Sequence, residues 1–180
     1  ALIGIKVIPS FLERDNENKA LDVFYNEEYK NDDKSIKVDT KLKSNSDNKL
    51  EYIAVLKIPK IKLEKGLVDK KSKYNSIDYG IQILKESDMP DVINGNVILA
   101  THSWTASISV FNDLDKLDKE DIVEILYEKN IYKYKIVKIY DVPKCGKIKV
   151  DRNYNCSSLT LITCRNNTNK QIVLIGELQI

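Results

Sequence analysis

From Leu50 to its last residue the chain runs in short apolar stretches separated by turn residues, and this rhythm confines it to a mainly β fold, a barrel or a sandwich. Tyr52–Ile58 is the first strand candidate, stopped by Pro59, and Ile61–Val68 follows the Pro-Lys break. Asn96–Ala100 comes after an Asn94-Gly95 turn signal and leads directly to Thr101 and His102. Asp121–Leu126 and Ile131–Tyr140 read as a hairpin through Glu128, Lys129 and Asn130. In its second strand Tyr132, Tyr134 and Ile136 alternate with Ile131, Lys133 and Lys135, as half-burial requires. Leu159–Cys164 and Gln171–Leu178 read as an antiparallel pair joined by the polar turn Arg165–Lys170. Only brief helical stretches are expected between strands, around Asn75–Leu84 and Val110–Leu117.

The first 49 residues read differently from residues 50–180, the expected catalytic domain. Between Asn16 and Lys30, Ala20, Leu21, Phe24 and Tyr25 suit an amphipathic helix on the domain's flank. Asn31–Lys49 is Lys, Asp, Ser and Asn with few large apolar groups, too little to offset the entropy of ordering, and reads as a linker or surface loop. The apolar opening Ala1–Pro9 reads either as the tail of a removed membrane anchor or as a first element packed on the domain. No apolar run approaches the ~20 residues a bilayer span needs. With 29 basic and 27 acidic residues interspersed, no basic patch argues for a nucleic-acid partner.

Chemistry concentrates in Leu159-Thr160-Leu161-Ile162-Thr163-Cys164. Alternation puts Leu159 and Leu161 on one face and Thr160, Ile162 and Cys164 on the other, so the thiol projects from a strand end opposite the leucines. A thiol is a ready acyl-transfer nucleophile, and a cationic neighbour increases its thiolate fraction. His102, the only histidine, also follows a strand candidate and can handle the protons of such a reaction. The other cysteines are Cys145 and Cys156; a disulfide between them would leave Cys164 as the free thiol. Three cysteines without a C-x-x-C pair, and one histidine, do not make a zinc site.

Thr160-Leu161-Ile162-Thr163-Cys164 resembles the Thr-Leu-x-Thr-Cys signature of sortases. Gly95–His102 resembles the sortase strand that ends in the catalytic histidine, Phe111–Leu117 that family's Phe-x-x-Leu-x-x-Leu stretch, and Ile58-Pro59-Lys60-Ile61 its early turn. The similarity covers residues 52 to 178. It implies a closed eight-stranded β-barrel with short helices and an N-terminal helix, on a single-pass anchored enzyme at the extracellular face of a Gram-positive membrane. By the same resemblance Cys164 attacks the Thr-Gly bond of an LPxTG-like sorting signal on a secreted protein, and His102 protonates the departing glycine. An amine from peptidoglycan or a pilin then resolves the thioester. Thr163 and Trp104 are the candidate substrate contacts, Trp104 reading equally as a groove residue or as a surface or partly packed aromatic. No metal or organic cofactor is implied, and no carboxylate spacing calls for the calcium some sortases bind.

One position departs from the family pattern. Sortases usually carry an arginine at the start of the last strand, where this chain has Gln171. Gln171 can donate hydrogen bonds to an oxyanion but brings no charge. Arg165 is an alternative guanidinium, although in an extended strand it points away from Cys164, and Lys170 is a third option. With the Gln171 amide, the Arg165 backbone N–H is the expected second donor of the oxyanion hole. Two other readings stand beside transpeptidation: a cysteine peptidase that hands the acyl group to water, and an inactive sortase-fold binding module. The helix near Ala20–Tyr25 resembles that of class B members, and no pilin-type lid motif precedes the barrel, so the class stays open.

Overall fold

A computed structural model describes residues 11–29, 50–102, 110–165 and 168–179. Eight strands follow one helix: α1 (Phe11–Tyr29), β1 (Ala54–Ile58), β2 (Leu63–Leu67), β3 (Gln82–Ile83), β4 (Asn96–Thr101), β5 (Ile122–Tyr127), β6 (Asn130–Pro143), β7 (Ser158–Cys164) and β8 (Lys170–Leu178). They form one sheet in the order β2-β1-β5-β6-β8-β7-β4-β3, rolled into a nearly closed barrel with β2 and β3 as its two edges. Every pairing is antiparallel except β4 with β7.

Alternation along each strand fills the interior. Leu56 and Ile58 from β1, Val97 and Leu99 from β4, Leu159 and Leu161 from β7, and Ile172 and Leu174 from β8 belong to one buried core, with Phe111, Leu114 and Tyr134 among its largest members. In β6 the expected set Tyr132, Tyr134 and Ile136 faces this core. The hairpin before β6 turns on Glu128 and Lys129, both at positive φ (47° and 64°), the mirror-image turn whose twist suits a two-residue connection.

The outer face of the β4–β7–β8 region carries a second core that period-2 reasoning does not reveal. Ile98, Ile162, Val173 and Ile175 are buried there under Val142, Ile148 and Val150. The connection from β6 to β7 is pinned down by Tyr140, whose hydroxyl accepts the Asp151 N–H (3.1 Å), and by Lys138 bonded to Asp151 (2.7 Å). As a result β7 is buried on both faces up to Thr163, and only Cys164 at its end is half-buried.

Two expected helical stretches come out otherwise. Val110–Leu117 contains one short 3-10 turn, Leu114–Lys116. Asn75–Leu84 is a series of turns ending in β3, because Asn75 closes the loop: its Nδ2 donates to the Ile83 and Lys70 carbonyls (2.9 and 3.2 Å) and its Oδ1 accepts the Ile83 N–H (2.8 Å). Side-chain amides that satisfy backbone groups in this way compete with helix.

The flank helix is present and longer than expected. Phe24 packs against Val55 and Leu126, with Leu21, Tyr25 and Tyr52 around it, and Lys65 pairs with Glu17 at 2.5 Å. The Asn31–Lys49 linker and the Ala1–Pro9 opening lie outside the described residues. No helix among the described residues is long and apolar enough to cross a membrane. Since Phe24 is 3% exposed, Phe24→Ala is expected to cost about 3 kcal/mol, read as a lower urea midpoint with an unchanged slope.

Candidate active site

The site is set by where β4 and β7 stop. Their parallel register runs from Asn96↔Ser158 to Thr101↔Thr163, and side chains at registered positions share a face. Thr101 and Thr163 face inward and are buried. One residue further, His102 leaves β4 and Cys164 ends β7, so the backbone positions that carry imidazole and thiol reach the same rim of the barrel from adjacent strands.

Three hydroxyls lock this register. Ser158 Oγ and Thr160 Oγ1 both donate to Asn96 Oδ1 (3.1 and 3.0 Å), while the Asn96 N–H bonds Asp88 Oδ2 at 2.9 Å. At the other end Thr163 Oγ1 donates to the Thr101 carbonyl at 3.0 Å. Thr163 also lines a cavity of about 290 Å³ with Cys164 and Arg165, over the buried side chains of Phe111 and Ile172 and between the exposed Asn112 and Thr168.

The three residues weighed for the family's arginine position separate by register. Gln171 pairs directly with Cys164 across β7–β8 and shares its face. Arg165 bonds Asp141 through Nε at 2.6 Å. Asp141 is registered with Ile172, which stands opposite Thr163, so the guanidinium is engaged by a carboxylate on the Thr163 row, although Arg165 lines the same cavity as Cys164. Lys170 is exposed and, one residue before Gln171, belongs to that same row. The backbone N–H of Arg165 is not the expected oxyanion donor. The β7–β8 ladder continues one step past Cys164, and this N–H is committed to the Lys170 carbonyl at 2.9 Å.

On the other side of His102 stands a residue that sequence reasoning missed. Gln82↔Ala100 is the β3–β4 register, which sets Gly80 across from His102. There the chain turns back at Gly80 (φ 143°), and Asp78 Oδ1 lies 3.8 Å from His102 Nε2. Nothing in the sequence flagged it, because the segment was expected to be helical. Trp104 lies outside the described residues.

All three cysteines are free, so the Cys145–Cys156 disulfide is not formed. The Cys145 thiol donates to the Lys147 carbonyl (3.5 Å) and that of Cys156 to the Asn153 carbonyl (3.7 Å). Burial, and then the Glu177 carboxylate, push the Cys156 thiol above its ordinary pKa, which suppresses its thiolate. Among the described residues no group of three or more His, Cys, Asp or Glu could hold a metal.

A family model described as a sortase domain matches residues 56–179. Among curated proteins no sequence matches the chain. Among solved structures, a sortase D5 transpeptidase from Clostridium perfringens matches with a TM-score of 0.66 at 23% identity, over 95% of this chain and 100% of that one. Sortase A from Corynebacterium diphtheriae matches at 0.61 and 20% identity over 72% of this chain and 61% of that one, less than two thirds of that protein's length. A Clostridium perfringens sortase C, solved with the C-terminal cell wall sorting motif, matches at 0.60 and 19% identity over 95% and 91%.

Removing the acceptor shared by Ser158 and Thr160 takes away the Thr160 partner and leaves Ser158 only its longer contact to the Gly95 carbonyl (3.5 Å), so Asn96→Ala is expected to lower stability by about 2 kcal/mol in chemical denaturation. Cys156 is expected to alkylate with iodoacetamide at neutral pH more slowly than a free model thiol, measured by peptide mass spectrometry.

Proposed function

Because the chain belongs to the sortase family of cysteine transpeptidases, we propose that it cleaves an LPxTG-like sorting signal between Thr and Gly through Cys164 and passes the acyl group to an amine. The observation that carries this assignment of roles is the β4–β7 register, which brings the ends of the Cys164 and His102 strands together beside a cavity. The C. perfringens sortase C solved with a sorting motif supports a peptide of that class as the occupant.

In the first step the Cys164 thiolate adds to the threonine carbonyl carbon, and the oxyanion is met by the Gln171 side-chain amide. The C–N bond breaks as His102 delivers its proton to the departing glycine amine, leaving a thioester on Cys164. In the second step an amine from a peptidoglycan cross-bridge or a pilin lysine loses a proton to His102, adds to the thioester carbonyl and displaces the sulfur. Thr163 and Trp104 are the proposed substrate contacts, with Thr163 acting from the cavity wall. A neutral donor at position 171 fits, because oxyanion holes work through aimed hydrogen bonds and a carboxamide supplies them without a full charge. The same assignment places the protein at the extracellular face of a Gram-positive membrane, where its secreted substrates arrive, held by an N-terminal anchor.

Mass spectrometry of the protein incubated with a panel of sorting-signal peptides tests the assignment. A thioester adduct on Cys164 is expected for one motif and absent in Cys164→Ala, and Gln171→Ala is expected to slow acylation about 100-fold. Product analysis with and without added amine then separates transfer from hydrolysis. No adduct with any peptide, or an adduct on another cysteine, would remove the proposal.

A further inference from the structure

At the rim, four adjacent strand ends present one row on the outer face. Gln171 on β8, Cys164 on β7 and His102 on β4 stand side by side, and the turn before β3 brings Asp78 back to the imidazole. The order has a mechanistic consequence. An oxyanion that bonds Gln171 lies on one side of the sulfur, so the group that exchanges protons with His102 lies on the other. By microscopic reversibility the departing and entering amines occupy the same place, between Cys164 and the far side of His102. Asp78 is the carboxylate there.

The loop is built to hold that carboxylate in the open. Asn75 ties it to β3 through both Ile83 backbone groups. The Asp78 N–H is bonded to Ser76 Oγ at 3.2 Å, and the neighbouring Tyr79 leans edge-on against Tyr74, ring centroids 5.5 Å apart. The Asp78 side chain is nevertheless 81% exposed and that of His102 48%. A carboxylate has about four lone-pair sites, and a contact at 3.8 Å to one imidazole nitrogen leaves room for a cation in the same angle. A free amine acceptor arrives in water as its ammonium form, three donors and one positive charge.

Resting on the transpeptidase assignment above, we infer that Asp78 is the docking point for the ammonium group of the acceptor, holding it beside His102 Nε2. From that position the ammonium gives one proton to the neutral imidazole, and the amine so formed adds to the thioester carbonyl carbon. The C–S bond breaks, sulfur leaves with its electron pair as the Cys164 thiolate, and the new amide nitrogen loses its second proton to water. His102 ends protonated opposite the thiolate, ready for the next acylation. The chemistry recognised is a primary ammonium, from a peptide N-terminus or from a lysine side chain.

The experiment compares nucleophiles on enzyme whose thioester has first been weighed. Triglycine supplies an N-terminal ammonium, Nα-acetyl-lysine amide a side-chain ammonium, and hydroxylamine a nucleophile that is mostly neutral at pH 7.5. In Asp78→Asn the ratio of kcat/KM for a cationic acceptor to that for hydroxylamine is expected to fall about three- to fivefold, and in Asp78→Lys about tenfold, and the acceptor showing the fall identifies the source. An equal loss for hydroxylamine and both amines would overturn the inference, because Asp78 would then only position His102. Unchanged ratios in both variants would overturn it too. If the unsubstituted protein forms no thioester, the transpeptidase assignment itself fails at the weighing step and takes this inference with it.

Discussion

Three hydroxyls hold β4 against β7: Ser158 and Thr160 on the Asn96 side-chain oxygen, and Thr163 on the Thr101 carbonyl. Parallel pairs are slightly less stable per residue than antiparallel ones, so a six-pair parallel ladder gains from such locks. The hydroxyls sit on residues at most 3% exposed, where an unpaired donor costs about 1–3 kcal/mol. A slip of one residue would strand all three and would also rotate every side chain of β7 to the wrong face. The cost of losing those bonds therefore guards the placement of Cys164 beside His102, at the end of a strand that is otherwise ordinary core.

Charge is distributed around this row in an instructive way. The guanidinium nearest in sequence to the thiol is held by Asp141 on the opposite row, and the side chain that faces the thiol from β8 is a neutral amide. Neutral hydrogen bonds have roughly half the strength of charge-assisted ones, so in the proposed mechanism Gln171 relies on aim rather than charge. Its place near the start of β8, paired with Val142 on one side and Cys164 on the other, supplies that aim, because both neighbouring strands fix its backbone. The two cations nearest Cys164 along the strand ends, Arg165 and His102 when protonated, each meet a carboxylate, Asp141 and Asp78.

Much of this was legible in the residue pattern. Alternation in Leu159–Cys164 placed the thiol opposite Leu159 and Leu161, and those leucines are in the inner core while Ile162 belongs to the outer one. The β5–β6 hairpin and the antiparallel β7–β8 pair were equally readable, since each strand follows its partner in the chain. The parallel contact was not, because alternation looks the same whichever way a neighbour runs. The segment before β3 misled for a local reason: Ile77, Ile81 and Leu84 stand at helical spacing, yet Asn75 closes the chain on Ile83 and leaves a two-residue strand. Asp78 was invisible for the same reason, as its approach to His102 exists only once β3 lies beside β4. His102 is readable from the residues, as the only histidine and at a strand end, whereas Gln171 comes from family resemblance alone; that the β4 and β7 ends lie together, though Cys164 is 62 residues from His102 along the chain, shows only in the β4–β7 register.

The shortness of β3 completes the geometry. A longer edge strand would continue along β4 and wall off His102 on its outer side. Instead β3 begins only at Gln82, and before it Gly80, with no Cβ to resist a φ of 143°, brings the chain in from away from the sheet just where His102 leaves it. Toward β6 and β8, by contrast, the outer face is sealed by Val142, Ile148 and Val150 over Val173 and Ile175. The two flanks of Cys164 thus differ in solvation. On the β8 side, a neighbouring apolar cover lowers the local dielectric and strengthens any hydrogen bond from Gln171 to developing negative charge. On the β3 side, exposed His102 and Asp78 keep contact with water, from which the proposed amine acceptor would come and into which its released proton would go. For the proposed acyl transfer, one barrel rim would thus offer a drier flank to the oxyanion and a wetter one to the proton traffic, and what separates them is the width of the β7–β4 pair.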